Sequence, residues 1–296
     1  MSDFSQRLNY YQPSGAAPII GVFATLAAGV AGGSLLGAIY AFINHHDPLV
    51  YINLLLLFGF GIGLGLIVSK CVRAFRIRSE FAAASIALVV FAAAYAVHWF
   101  FYISTVLVDW ETNSPFDVVT IAKVAVTFMS DPGTAWEVIT DMNAEGMWSV
   151  GSSGGSGLRI RGLPLTALWV AEALVIAYHV ISAPVAEAGR PYSERQDRWM
   201  NAHALPKPVA FIADEEAFKN ALARGDYSAI STPLEPNDES SGDFAAVTIY
   251  EDSFEPCVSV SNVRAKVKKE KNVAKEVIRY LKISPDAAQN IVKSLS

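Results

Sequence analysis

The sequence predicts a mainly α membrane protein, a four-helix transmembrane bundle with a small cytoplasmic α+β domain. Three observations carry that prediction. Four apolar runs are each long enough to cross a bilayer core, because about 20 residues at 1.5 Å rise cover roughly 30 Å. Charged residues make up only 17% of the 296 residues, against 52% hydrophobic, and they gather after Val185, where the apolar runs have ended. Lys and Arg fall in alternate loops, the asymmetry that orients membrane helices.

The N-terminal segment, 1–17, is polar, and the first span follows at about 18–43. That run exceeds the apolar core of a cleaved signal peptide and reads as a retained anchor. Within it Gly21, Thr25, Gly29, Gly33 and Gly37 recur every four residues. They form one stripe of the small-xxx-small kind, which lets another helix backbone approach closely in lipid. The second span, about 50–72, carries Gly59, Gly61, Gly63 and Gly65. Gly59 with Gly63 makes one small face, and Gly61 with Gly65 another about 200° away at 100° per residue. Such a helix can be sandwiched, with the first span on one side and the alanine-rich third span, about 81–108, or another copy of the chain on the other. The second loop holds Lys70, Arg73, Arg76 and Arg78, the first loop has no Lys or Arg, and Arg190, Arg195 and Arg198 follow the fourth span, about 163–183. Both termini are therefore expected in the cytoplasm of a bacterial inner-membrane protein.

The outer loop, 109–162, is too long to be mere connection. Ser114-Pro115 and Asp131-Pro132 each read as a helix start, and Gly146 as a stop. The first of these helices covers Phe116–Met129, its apolar face broken by Asp117, Thr120, Lys123 and Thr127. Two short helices of this kind cap the bundle or lie at the outer interface. Trp99, Trp110, Trp136, Trp148 and Trp169 are spaced as an aromatic belt would be. The glycine- and serine-rich run 151–157 reads as a flexible linker.

Residues 184–296 have the composition of a domain in water. Asp214 caps a helix over Glu215–Arg224 that Gly225 stops, with Phe218, Ala221 and Leu222 facing inward. Pro233 to Asp243 reads as an acidic loop. Phe244–Tyr250 and Cys257–Lys268 alternate as half-buried strands, the latter with Val263, Ala265 and Val267 inward. Val273–Leu281 carries apolar residues at helical spacing and is expected to be an amphipathic helix. Ser284-Pro285 starts a last helix with Ala288, Ile291, Val292 and Leu295 on its inner face.

Composition narrows the function classes more than it names one. Cys71 and Cys257 cannot build a disulfide framework or a zinc site, and a net charge of -5 gives no nucleic-acid footprint. The basic run Arg264–Lys275 lacks stacking aromatics and reads as a solvated sheet edge, with anionic lipid as its alternative partner. His45-His46-Asp47 in the first loop reads as a polar turn, because adjacent side chains rarely converge on a metal. No nucleophile–base pair, phosphate loop or metal motif is present, so neither catalysis nor a cofactor is expected. The intramembrane candidates are Glu172, His98 and His179, since ionisable residues in lipid are costly. Glu172 and His179 share a helix face about 10 Å apart, and the antiparallel third span brings His98 to similar depth. An interhelical hydrogen bond that fixes packing is favoured over a proton or cation path, because no span holds the internal proline or unwound stretch of a midplane ion site. The expectation is a structural or accessory component of a membrane assembly, in contact with lipid and either homo-oligomeric or joined to other membrane subunits.

Overall fold

A computed structural model describes residues 9–46, 50–112, 116–146, 148–150, 158–234, 242–264 and 273–296. The side chains of Trp110 and Trp148, the Ser114-Pro115 start signal, the 151–157 linker, Asp47 and the 265–272 part of the basic run lie outside the described residues. The chain divides into two units, Ser14–Gly189 and Arg190–Ser296, the second joined by the N-terminal stretch that ends at Pro13.

The first unit is built on α1 (Ile19–His46), α2 (Val50–Ala74) and α3 (Glu80–Thr112). The short α4 (Val118–Ser130) and α5 (Pro132–Glu145) follow, then the antiparallel pair β1 (Trp148–Val150) and β2 (Leu158–Ile160), then α6 (Leu163–Ala188). Helices α1, α2, α3 and α6 pack together, and each is long and apolar enough to cross a membrane. Large apolar side chains such as Phe23, Leu35, Leu55, Phe81 and Leu174 stand more than half exposed on the outside of the bundle. That is a liability in water and a match for lipid. The fourth helix runs past Ala183 to Ala188, so Pro184 lies inside it near its C-terminal end. The expectation that no apolar helix holds an internal proline is corrected accordingly.

The stripe on α1 is turned mainly to α3. A Cβ at Gly29 would lie 2.6 Å from Val90 Cγ2, and one at Gly37 would lie 2.6 Å from the carbonyl oxygen of Ala94. Gly33 meets both Leu64 of α2 and Ala94 of α3, and Gly21 meets Phe75 just after α2. On α2, Gly61 and Gly65 face Ile176, His179 and Val180 of α6, Gly63 meets Leu36 of α1, and Gly59 has nothing within 4 Å. The second neighbour of α2 at these glycines is therefore α6 rather than α3. A helical pattern fixes which face is small but not which helix will meet it.

Asp117 is the N-cap of α4: its carboxylate accepts the Thr120 N–H at 3.1 Å and the Thr120 hydroxyl at 2.7 Å. The residue that seemed to break the apolar face therefore sets the start of α4, two residues later than expected. Asp131 repeats the arrangement on Thr134 for α5, and Gly146 ends that helix at φ +83°. These caps hold both carboxyls below the usual carboxylate range, chiefly through the threonine hydroxyls.

The second unit opens with β3 (Tyr192–Ser193) and β4 (Arg198–Trp199), which pair with each other. It continues with β5 (Asn201–Ala204), β6 (Val209–Ala210), α7 (Glu215–Ala223) and α8 (Ser228–Ser231). Then come β7 (Phe244–Glu251), β8 (Cys257–Arg264), β9 (Val273–Lys282) and α9 (Pro285–Leu295). The antiparallel sheet has the order β5-β7-β8-β9, with β6 also on β7. Ala245, Val247 and Ile249 alternate into a core completed by Phe218, Leu222, Ile230, Ile291 and Leu295 of the helices. Asp214 and Ser284 cap α7 and α9 as their spacing predicts. Pro233, expected to open a loop, is bridged to Val209, and Leu234 donates its N–H to the Pro208 carbonyl.

Two expectations for this sheet are overturned. Val273–Lys282 is a strand, not a helix. Val260 pairs with Ile278 and Val258 with Leu281, so β9 advances three residues where β8 advances two, and a second irregularity lies between Ile278 and Glu276. These bulges put Val277, Ile278 and Leu281 on the buried side. The i, i+1, i+4 spacing that results imitates a helix face. In β8 the inward parity is Val258, Val260 and Asn262, whereas Val263 is only half-buried. Asn262 hides that parity from a hydrophobicity reading. Its amide accepts the Ile212 N–H at 2.9 Å and donates to the Ile212 carbonyl at 2.8 Å, so a polar group can occupy the core.

At the edge of the sheet, the N-terminal stretch is tied to β9. Tyr11 donates its N–H to the Tyr280 carbonyl and Lys282 donates to the Asn9 carbonyl, both at 2.8 Å. Tyr11, Tyr250 and Tyr280 meet edge to face. Burial beside Tyr280 pushes the Tyr250 hydroxyl up to about 12.

Candidate functional site

The polar residues of the bundle converge where α1 ends, α2 begins and α6 is about 14 Å into its length. Tyr40 donates its hydroxyl to Glu172 Oε1 at 2.6 Å, joining α1 to α6. The Tyr40 ring stacks on Phe60 of α2 at 4.8 Å and lies 4.6 Å from the His98 ring of α3. One phenol therefore touches all three partner helices. His98 is only 3% exposed, and its Nδ1 has no hydrogen-bond partner among the described residues.

The close backbone approaches place this group. Gly37 stands one turn before Tyr40, and a Cβ there would also come within 3.4 Å of the His98 backbone nitrogen. A larger residue at 37 would push α3, and His98 with it, away from Tyr40. Gly61 acts similarly on Ile176, one turn beyond Glu172.

Glu172 and His98, two of the three intramembrane candidates, are thus brought to the same tyrosine. His179 is engaged elsewhere. Its ring lies 5.5 Å from Phe58, its Cβ backs onto Gly61 and its backbone carbonyl onto Gly65. Tyr40 was missed from sequence, because a tyrosine near a span end reads as an interfacial aromatic. The available signal was its place three residues after Gly37, on the same buried stripe.

A cavity of about 370 Å³ adjoins the carboxylate, lined by Tyr40, Asn44, Asn53, Leu57, Phe58 and Glu172 among others. The Asn53 Oδ1 is buried without a partner among the described residues. A second cavity, about 610 Å³, lies between α3, α5 and α6. Three belt residues, Trp99, Trp136 and Trp169, line it with Tyr95.

Elsewhere, His45 Nε2 lies 3.2 Å from Asp109 Oδ2, fastening the end of α1 to α3, and His46 Nδ1 contacts the Phe42 carbonyl. Among the described residues no three His, Cys, Asp or Glu side chains converge as a metal site would require. At the described ends of the basic run, Arg264 lies over Phe211, and Lys275 bonds Glu215 at 2.6 Å. Burial pushes the Cys257 thiol up to about 12, which leaves it unreactive. No family model, curated protein or solved structure matches the chain.

Proposed function

We propose that the protein is a non-enzymatic structural or accessory component of an assembly in the bacterial inner membrane. It works through close glycine-mediated helix contacts and a cytoplasmic interaction domain, as a homo-oligomer or beside other membrane subunits, with lipid as its surroundings and no nucleic-acid partner. The observation that carries this reading is the Tyr40–Glu172 hydrogen bond. The carboxylate within the fourth helix is engaged in fastening α6 to α1, as a packing role requires. Hydrogen bonds of this kind specify helix neighbours in lipid, where apolar contact alone discriminates poorly.

The pairing of Asn9–Tyr11 with β9 supports placing both ends of the chain in one compartment, which an even number of crossings demands. The Lys and Arg of the α2–α3 turn favour the cytoplasm for that compartment.

The second reading is a small proton- or ion-coupled transporter or channel using Glu172 with His98 and His179. The observation favouring it is the His98 Nδ1 beside Tyr40, which has no hydrogen-bond partner among the described residues. Mass measurement of the detergent-solubilised particle, with flux measurement in proteoliposomes, separates the two. An assembly component gives a stoichiometric complex or ring and no flux. A strict monomer whose proton flux is lost in Glu172→Gln would overturn the first reading.

A further inference from the structure

The cavity beside Glu172 presents a carboxyl group, two asparagine amides and the Tyr40 hydroxyl, with no basic side chain in its lining. Tyr40 supplies the one hydrogen bond that Glu172 receives among the described residues, and it goes to Oε1. Asn53 Oδ1 has no hydrogen-bond partner among the described residues, and Asn44 contributes another amide to the wall. A buried acceptor without a partner costs roughly 1–3 kcal/mol, more if charged, so Asn53 Oδ1 and the free oxygen of Glu172 call for a donor. The rest of the wall is apolar. Leu54 and Phe58, 56% and 37% exposed, stand where the cavity meets the lipid-facing surface of α2. The volume falls in the range of small-molecule sites.

We propose that this cavity binds a single-chain lipophilic primary amine. Its ammonium head supplies three N–H donors to Glu172, Asn53 and Asn44, and its alkyl chain leaves past Leu54 and Phe58 into the bilayer. An ammonium ion enters an apolar environment only when paired and hydrogen-bonded, and the carboxylate with two amides meets both conditions. A phospholipid with an ethanolamine head carries the same amine, but its phosphate would find no Lys or Arg in this lining. The site is therefore assigned to the free amine. It goes beyond the assembly role, because binding at Glu172 is measured in the same way for a lone particle or a complex.

The test uses the full chain in phosphatidylcholine nanodiscs with a diazirine-bearing dodecylamine, and the matching dodecanol as the neutral probe. Peptide mapping should find the amine on the end of α1, the start of α2 and the first half of α6, at about tenfold or more over the alcohol. Unlabelled dodecylamine should displace it and dodecanol should not. Glu172→Gln should remove the preference, while Glu145→Gln, at an exposed position, should keep it. Asn53→Leu should weaken labelling several-fold, and it serves as the second variant if Glu172→Gln does not fold. Adding phosphatidylethanolamine to the disc should leave labelling unchanged. Equal labelling by amine and alcohol, undiminished labelling in Glu172→Gln, or displacement by phosphatidylethanolamine would each overturn the assignment.

Discussion

In the bundle many large apolar side chains, Phe23, Leu55 and Leu174 among them, point outward, while Gly29, Gly37, Thr25 and His98 lie inside beside Leu64 and Ile176; in the α/β unit the interior is built from large apolar residues such as Val247, Ile249, Ile278 and Ile291. The difference follows from the solvent. In water, burying apolar area drives folding at roughly 25 cal/mol per Å². Lipid offers no such gain, and helices associate through close van der Waals fit and a few hydrogen bonds. Filling space should therefore damage the bundle, whereas leaving polar groups unmatched should damage the sheet.

The largest effect is expected from Gly37→Leu, because even its Cβ would lie 2.6 Å from the Ala94 carbonyl oxygen. Destabilisation of about 3 kcal/mol or more should appear as loss of cooperative thermal unfolding in detergent. Gly59→Leu, with nothing within 4 Å of its Cβ, should stay within about 0.5 kcal/mol of wild type. Equal damage from both would erase the contrast between the regions. Next comes Asn262→Leu, which leaves the Ile212 N–H and carbonyl unpaired at a cost of about 2–4 kcal/mol. Hydrogen exchange should rise through β7, β8 and the Ile212 segment while α1–α3 amides stay protected. Tyr40→Phe removes one interhelical hydrogen bond and keeps the ring stack. It should cost about 0.6–1.7 kcal/mol, read as a lowered melting temperature in detergent.

The smallest effect concerns the cap of α5. The Thr134 hydroxyl and N–H hold the Asp131 carboxyl below its ordinary range. A depressed carboxyl gives stability that is present above its unfolded value and lost as pH falls through the folded one. Acidification should therefore fray the first turn of α5, seen as faster intrinsic-rate-corrected exchange at Thr134 and Ala135. Asp131→Asn, whose amide oxygen can accept the same bonds, should remove that acid sensitivity.

Most of the fold was legible where one period and one solvent acted over a long stretch. The four apolar helices, the Asp214 and Ser284 caps and the β7 alternation are of this kind. What stayed hidden had a local cause. The bulges in β9 gave a strand a helix-like spacing, and Asn262 put an amide at a core position because Ile212 needed two partners. At the site, Glu172 and His98 stood out because ionisable groups are rare in apolar runs. Tyr40 and Asn53 did not, since tyrosine and asparagine near a span end are ordinary. Their importance comes from which helices meet there, and a face pattern leaves that choice open.

The hydrogen bonds from Tyr11 to Tyr280 and from Lys282 to Asn9 join positions about 270 residues apart. At roughly 5–20 residues per second the earlier strand is made tens of seconds before its partner. All four apolar helices leave the ribosome in that interval. The opening segment must wait without its sheet edge until β9 has been made, so its docking reports that all four apolar helices have already been synthesised.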